Sequence, residues 1–303
     1  MIPTTLLELC WAGHPRSIAS ALLRFGDCVA LVDPGPTSTI AYLREQLAGN
    51  GLGITDLDAL LLTHIHLDHA GGCGSLVREN PRLRVYVHSR GAPHMADPRK
   101  LLDSARRLYG DTMQRLYGEV LAVPQSNLDV LEGGESLTMG SRQLDVLYTP
   151  GHAAHHVTYV DSLEGVAFVG DTAGIAIEGH PFVLPATPPP DINLELWNTS
   201  LDAIAALHAK RLFLTHFGFS DHPAQHINSF RERLLRWSDL AARVLSEGTE
   251  ESQAREAFIK AVAVEARQFL SREEVDLYLF NGSLHLSWLG LARYHRKRAA
   301  AQA

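Results

Sequence analysis

The chain has 303 residues, and its content of 46% hydrophobic and 20% charged residues is typical of a folded globular protein. The formal net charge of −7 argues against nucleic acid or an anionic membrane as a partner, because both attract a surplus of Lys and Arg. We expect no secretory leader and no membrane span, and the three scattered cysteines predict reduced thiols in a cytoplasmic protein. The 16 histidines are numerous for this length and are the first indication of a metal site.

Apolar runs alternating with turn residues predict strands mixed with helices in the first half of the chain. The predicted strands are short and apolar, and they lie at residues 5–11, 28–33, 57–63 and 83–88. The predicted helices lie at residues 37–49, 73–80 and 99–118, the last of which forms one or two helices.

A second strand-rich block follows, and most of the chain after it is helical in pattern. Strands are predicted at residues 128–131, 143–149, 157–161, 166–170 and 211–215. A loop with five prolines is predicted at residues 181–191, and helices at residues 194–208, 223 to about 270, and after 272. The pattern indicates an α/β domain over residues 1–222 and a helical C-terminal extension over residues 223–303, packed on the domain or at a homodimer interface.

Metal-ligand residue types are concentrated directly after the third predicted strand. His64 and His66 are two residues apart, so in an extended backbone both imidazoles point the same way and can reach one cation. Asp68 and His69 follow as the chain turns, and they would face a second cation beside the first. A single histidine is more often a surface or core residue, but four such side chains within residues 64–69 favour a metal site.

Three further residues of the same types end later predicted strands. His152 follows the strand at 143–149, Asp171 follows the strand at 166–170, and His216 follows the strand at 211–215. An aspartate after a strand is by itself more often a cap or a turn residue. Because loops at strand ends collect into active sites, the three together predict additional ligands.

The segments HIHLDHAGG, TPGH, VGDTAG and LTHFG resemble the successive motifs of the metallo-β-lactamase-fold metallohydrolase superfamily, over about residues 5–220. Within it they are most similar to the glyoxalase II, lactonase and phosphotriesterase-like branch. The resemblance implies an α/β fold arranged as an αββα four-layer sandwich. It also implies that His64, His66 and His152 hold one metal, that Asp68, His69 and His216 hold another, and that Asp171 bridges both.

The same resemblance implies a dinuclear metal-dependent hydrolase that acts on a small-molecule substrate. Two divalent ions about 3.5–4 Å apart, with zinc expected and iron, manganese or cobalt as alternatives, would turn a bridging water into hydroxide near neutral pH. Asp68 is the expected catalytic residue, because it can relay a proton. The bond attacked would be of the ester type: lactone, carboxylic ester, thioester or phosphotriester.

Other functions remain open from the sequence. True zinc β-lactamases resemble one another in having Cys or Ser where this chain has Asp171, which disfavours antibiotic cleavage. A glyoxalase II-type thioesterase is one alternative. A mononuclear iron persulfide dioxygenase resembles this chain at the same seven positions and is a second. A non-catalytic metal-binding scaffold is a third.

The substrate pocket is less well defined by the sequence. The helical segment at residues 99–118 is expected either to cover the site, with Tyr109, Met113 and Tyr117 facing substrate, or simply to pack. His14, Phe182 and Phe217 are further pocket candidates, and Pro188–Pro190 is expected to form a rigid wall. His156 is expected to orient the ligand residues, whereas His155, His180 and His222 are assigned to the surface or to outer positions.

Overall fold

Two six-stranded sheets form the centre of the protein in a computed structural model that describes residues 3–177 and 182–302. The strands of the first sheet, in spatial order, are β1 (Thr5–Glu8), β2 (Ala19–Phe25), β3 (Cys28–Val32), β4 (Ala59–Leu61), β5 (Arg84–His88) and β6 (Leu128–Leu131). The second sheet has the spatial order β12-β11-β10-β9-β8-β7, with β7 (Ser136–Met139), β8 (Arg142–Tyr148), β9 (Val157–Asp161), β10 (Val166–Phe168), β11 (Arg211–Leu214) and β12 (Gly218–Ser220).

Helices cover the outer faces of both sheets. They are α1 (Ile40–Gly49), α2 (Leu67–Ala70), α3 (Cys73–Glu79), α4 (Ala92–Ala96), α5 (Arg99–Tyr109), α6 (Met113–Tyr117), α7 (Leu194–Ala206), α8 (Pro223–Ser246), α9 (Glu251–Ala266), α10 (Arg272–Asn281) and α11 (Leu284–Gln302). Within the described residues, no helix combines the length and the apolar character that crossing a membrane requires.

The alternation of side chains along each strand produces the layers. On β3, Ala30 and Val32 lie in the core between the two sheets, whereas Val29 and Leu31 lie in the core under the helices of the first sheet. On β11, Phe213 faces the first sheet and its neighbours face the helices of the second. The αββα sandwich that the resemblance implied is therefore confirmed.

The helices after residue 222 share a core with the second sheet. One buried cluster joins residues of β10 and β11 to residues of α7, α8, α9, α10 and α11. Phe230 of α8 is fully buried in this cluster, and its ring centroid lies 5.5 Å from that of Trp197 on α7. A homodimer interface formed by these helices stays a prediction.

The structure differs from the predicted elements in the first hairpin. β2 is absent from the predicted strands, because Ala19, Ser20 and Ala21 are small, are buried on both faces and give no alternation of polar and apolar residues. The first strand ends at Glu8 and not at residue 11, since Cys10 and Ala12 have φ values of 44° and 52°.

We expect Phe230→Ala to lower the free energy of unfolding by about 3–5 kcal/mol, because it leaves a cavity between α7 and α8. Urea unfolding measures the change. Leu235→Ala, on the same helix but 41% exposed, is the control and should cost less than about 1 kcal/mol. Equal losses in the two variants would contradict the packing of α8 described above.

Candidate metal centre

The seven predicted ligands all lie near the ends of strands, at one edge of the sandwich. His64 and His66 follow β4, and Asp68 and His69 lie in or next to the short α2. His152, Asp171 and His216 follow β8, β10 and β11, which run in the same direction because β9 is antiparallel to both β8 and β10 while β10 and β11 are parallel. Their carboxyl ends therefore meet at the same edge.

Backbone hydrogen bonds join the two sheets at this edge. The amide of Val157 on β9 donates to the carbonyl of Thr63, 2.8 Å away. The amide of Ala19 on β2 donates to the carbonyl of Thr215, also at 2.8 Å. Thr63 and Thr215 directly precede the ligands His64 and His216, so these bonds fix the positions from which both ligands project.

The first group of side chains consists of three histidines and one aspartate. His66 Nδ1 lies 3.0 Å from His64 Nε2 and 3.0 Å from His152 Nε2. His152 Nε2 lies 3.4 Å from Asp171 Oδ2. One atom from each of these four residues falls within 4.8 Å of the others, which is the arrangement of a cation site.

The second group consists of Asp68, His69 and His216. His216 Nε2 lies 3.3 Å from Asp68 Oδ2, and His69 Nε2 lies 3.9 Å from the same oxygen. Asp171 reaches this group as well, since its Oδ1 lies 3.3 Å from His69 Nε2. Asp171 thus turns one carboxylate oxygen toward each group.

The chemistry of these atoms fits divalent cations. His69 Nε2 and Asp171 Oδ1 are buried, and neither makes a hydrogen bond among the described residues. A buried polar atom without a partner is costly, and a cation between the two would satisfy both. Imidazole nitrogen and carboxylate oxygen suit zinc, iron, manganese and cobalt alike.

Hydrogen bonds on the far side of the rings orient the ligand nitrogens. His152 Nδ1 donates to the carbonyl of Ala186 at 2.9 Å, and His216 Nδ1 donates to the carbonyl of Ser17 at 2.7 Å. Each bond places the ring proton on Nδ1 and leaves the Nε2 lone pair facing the centre. His156 is buried behind the ligands, and its ring is stacked 5.0 Å from that of His64.

Asp33 is a buried residue of the centre that the sequence did not reveal. Its carboxylate accepts hydrogen bonds from Thr63 N at 2.8 Å, Thr63 Oγ1 at 2.7 Å, Thr215 Oγ1 at 2.7 Å and His69 Nδ1 at 2.8 Å. The sequence did carry a sign of this role, because Asp33 follows an apolar strand as Asp171 does. The residues after it, Pro-Gly-Pro, indicated only a turn.

Burial and charge set the protonation of the ligands. Burial lowers the pKa of His152 to about 4, and burial with the nearby histidines holds the pKa of His64 well below 6.5. Both rings are therefore neutral and able to bind metal at pH 7. Burial alone would raise the pKa of Asp68, but His69 and His216 lower it to about 2, so this carboxylate is ionised.

A cavity of about 610 Å³ opens beside the two groups. Among its lining residues are the ligands His66, Asp68 and Asp171, the tyrosines Tyr109 and Tyr117, Pro188–Pro190, His94 and His155. The rings of Tyr109 and Tyr117 lie 5.0 Å apart. Burial and the charge of Asp68 raise the pKa of Tyr109, so its hydroxyl stays protonated at neutral pH.

Met113, Phe182, Phe217 and His14 do not line this cavity, which corrects the expectation for them. Met113 packs in the core under the helices of the first sheet. Phe182 is fully buried, with the guanidinium of Arg233 4.1 Å from its ring centroid.

The other two aromatic candidates are not among the lining residues of the cavity either. Phe217 packs against the core between the sheets. His14 is exposed, with its ring centroid 4.2 Å from that of Phe280, which does line the cavity. The sequence could not show which face each ring takes, because that depends on the packing of distant helices. His180 lies outside the described residues.

The fold and the centre define a class: an αββα protein with a histidine and aspartate metal centre at the edge shared by its two sheets. The sequence profile of the Metallo-beta-lactamase superfamily matches residues 14–216. The chain belongs to the metallo-beta-lactamase superfamily.

Two sequence relatives show what the chain is similar to. A metallo-beta-lactamase fold-containing protein of Sulfurisphaera tokodaii is 31% identical over 205 residues, which cover 66% of this chain and 73% of the relative. A hydroxyacylglutathione hydrolase of Cupriavidus taiwanensis is 33% identical over 200 residues, 63% of this chain and 59% of that enzyme. A second such hydrolase, of Aeromonas salmonicida, is 30% identical, and the matched region covers 50% of that enzyme. The chain thus spans about half the length of these hydrolases.

A solved structure extends the likeness to almost the whole chain. The metallo-beta-lactamase family protein of Thermus thermophilus superposes with a TM-score of 0.64 at 25% identity, covering 98% of this chain and 94% of its own. The similarity therefore includes the helices after residue 222.

We expect Asp33→Asn to weaken metal binding by about ten- to a hundredfold at the group that contains His69, because the ring loses its charged acceptor. Competition with a chromophoric chelator measures the affinity. Asp27→Asn, an exposed position in the hairpin between β2 and β3, is the control. If the variant keeps its thermal unfolding temperature and also full metal affinity, then Asp33 does not support the centre.

Proposed function

We propose that the protein is a hydrolase that depends on two divalent metal ions, zinc foremost, and cleaves an ester-type bond in a small molecule. The bond would belong to a lactone, a carboxylic ester, a thioester or a phosphotriester. The observation that carries the proposal is the position of Asp171, which turns one oxygen toward each ligand group at the wall of the cavity. The similarity to hydroxyacylglutathione hydrolases supports a thioester or another ester-type substrate.

Each ligand group would hold one cation. His64, His66 and His152 would bind the first, Asp68, His69 and His216 the second, and Asp171 both. Cations bound there supply an activated water at neutral pH and a Lewis acid for the scissile carbonyl or phosphoryl group.

Asp68 is suited to move a proton during the reaction. Its side chain is 18% exposed and lines the cavity, whereas the histidines around it are buried. Since its pKa is lowered to about 2, the carboxylate is ionised and can accept a proton from the attacking water. It can then deliver that proton to the leaving oxygen or sulfur.

Two neutral donors in the cavity can bind the oxygen of the substrate. The Tyr109 hydroxyl remains protonated because burial and Asp68 raise its pKa. The amide of Ile65 donates to His155 Nδ1 at 3.4 Å, which places the ring proton of His155 on Nε2. Hydrogen bonds from such fixed donors stabilise negative charge that develops on a substrate oxygen.

The geometry supports two cations over one. Each group contains histidines of its own. Asp171 Oδ1, which faces the second group, is buried without a hydrogen-bond partner among the described residues, so a cation in that group would satisfy it. A mononuclear iron persulfide dioxygenase would leave the second group without a cation. A cytoplasmic location and a homodimer stay predictions.

We expect Asp171→Ala to lower the metal content below two ions per chain and to reduce hydrolysis at least about a hundredfold, since both groups lose a ligand. Elemental analysis and a panel of lactone, ester, thioester and phosphotriester substrates measure the two effects. Asp239→Ala, an exposed aspartate on α8, is the control.

Three outcomes would overturn this proposal. One is an Asp171→Ala variant that keeps full activity on the best substrate of the panel. Another is a wild-type protein that binds metal and hydrolyses no member of the panel. The third is a single iron per chain with oxygen uptake on a persulfide, which would support the dioxygenase instead.

A further inference from the structure

One wall of the cavity is a face of α5 that runs away from the metal centre. Its lining residues Lys100, Ser104 and Leu108 recur every four positions, as one side of a helix requires. Tyr109, at the end of α5, is close enough to Asp68 for that charge to affect its pKa. Lys100 lies nine residues earlier, about 13 Å along the helix axis. The cavity therefore has an inner end at the metal centre and an outer end at Lys100.

Two cationic side chains of the cavity wall have no ion-pair partner among the described residues. Lys100 and Arg115 line the cavity and are exposed, and neither side chain makes a hydrogen bond or a salt bridge with any described residue. We call these two residues the cationic rim. Lys100 is near enough to Asp97 to help lower the pKa of that carboxyl, but the hydrogen bonds of Asp97 go to Arg99, at 2.8 Å and 2.5 Å.

The acidic residues that line the cavity lie at or near the metal centre. Apart from the ligands Asp68 and Asp171, the acidic residue among its described lining residues is Asp191. Asp191 follows Pro188–Pro190 and is close enough to His66 to affect the pKa of that ring. Its charge therefore lies near the metal centre.

Most of the remaining cavity wall is apolar. The apolar residues include Trp11 before β2, Leu101 of α5, Leu116 of α6, Phe280 of α10 and Leu286 of α11. Such a wall binds a hydrocarbon or aromatic segment by removing its surface from water. The cavity thus combines metal ligands, a mainly apolar wall and two exposed cations, and this combination describes the ligand that would fit.

We propose that the cationic rim is a binding subsite for an acidic group, and that the substrate joins this group to the scissile ester-type bond through an apolar segment. This inference rests on the proposed function for the scissile bond only, because anion binding at the rim needs no turnover. Because the overall charge is −7, attraction of the anionic end must come from these two cations at short range and not from the field of the whole protein.

Binding of an amphiphilic anion to the metal-loaded protein tests the subsite. The probe is 1-octanesulfonate, chosen because a carboxylate is itself a common metal ligand, and 1-octanol is its neutral counterpart. Isothermal titration calorimetry is carried out on the wild type, Lys100→Met, Arg115→Met and the double variant. Methionine retains an unbranched apolar side chain and removes the charge.

We expect each single substitution to weaken binding of the sulfonate about threefold, and the double substitution about tenfold, with a smaller difference at high salt. Octanol should bind all the variants alike. Arg106→Met is the matched control, because Arg106 is exposed on α5, pairs with Asp103 at 3.0 Å and does not line the cavity. Unchanged sulfonate affinity in the double variant, or an equal loss in Arg106→Met, would overturn the subsite.

Turnover provides a separate test of the substrate class. For the best ester of the panel, adding an acidic group at the end remote from the scissile bond should raise kcat/KM more in the wild type than in the double variant. An equal gain in both proteins would contradict the inference while leaving the hydrolase proposal intact. Conversely, if the rim binds the sulfonate and no ester is hydrolysed, the proposed function fails and the anion subsite stands.

Discussion

The metal centre depends on the burial of aspartate carboxylates next to histidine rings. Asp33 is fully buried and Asp171 is 4% exposed, and burying an uncompensated charge of this kind costs several kcal/mol. Asp33 is compensated by four hydrogen bonds from Thr63, Thr215 and His69. Asp171 Oδ1 has no such partner, which is why the arrangement calls for cations.

Asp33 also links the centre to the fold. Its partners Thr63 and Thr215 belong to segments that follow β4 of the first sheet and β11 of the second. One buried carboxylate therefore holds both sheets and a ligand ring in a single hydrogen-bonded unit. Hydrogen bonds of this kind hold a ligand ring in one orientation, which the ring would not keep without a supporting partner.

The grouping of the seven candidate ligands could be predicted from the sequence because their signal is local. His64 and His66 are separated by the period of a strand, and His152, Asp171 and His216 each follow an apolar run. The layered fold followed from the resemblance of those same segments.

The sequence could not predict features that depend on distant packing. The role of Asp33 requires two strand ends to meet, and its Pro-Gly-Pro neighbours indicated only a turn. The position of Phe182 after the second strand block suggested a pocket residue. In the fold its ring packs against Arg233 of α8 and Tyr278 of α10 and is enclosed by these two helices. β2 was missed because small residues buried on both faces give no periodic pattern.

The contact of α11 with the proline-rich segment has a consequence for how this protein can change in evolution. Thr187 Oγ1 donates to the carbonyl of Ser287 at 3.1 Å, and a side chain at Gly290 would overlap the carbonyl of Thr187. Thr187 and Ser287 both line the cavity, whereas the ligand rings project from strand ends elsewhere. Mutations along this helix can therefore reshape the cavity while the seven candidate ligands themselves are inherited unchanged.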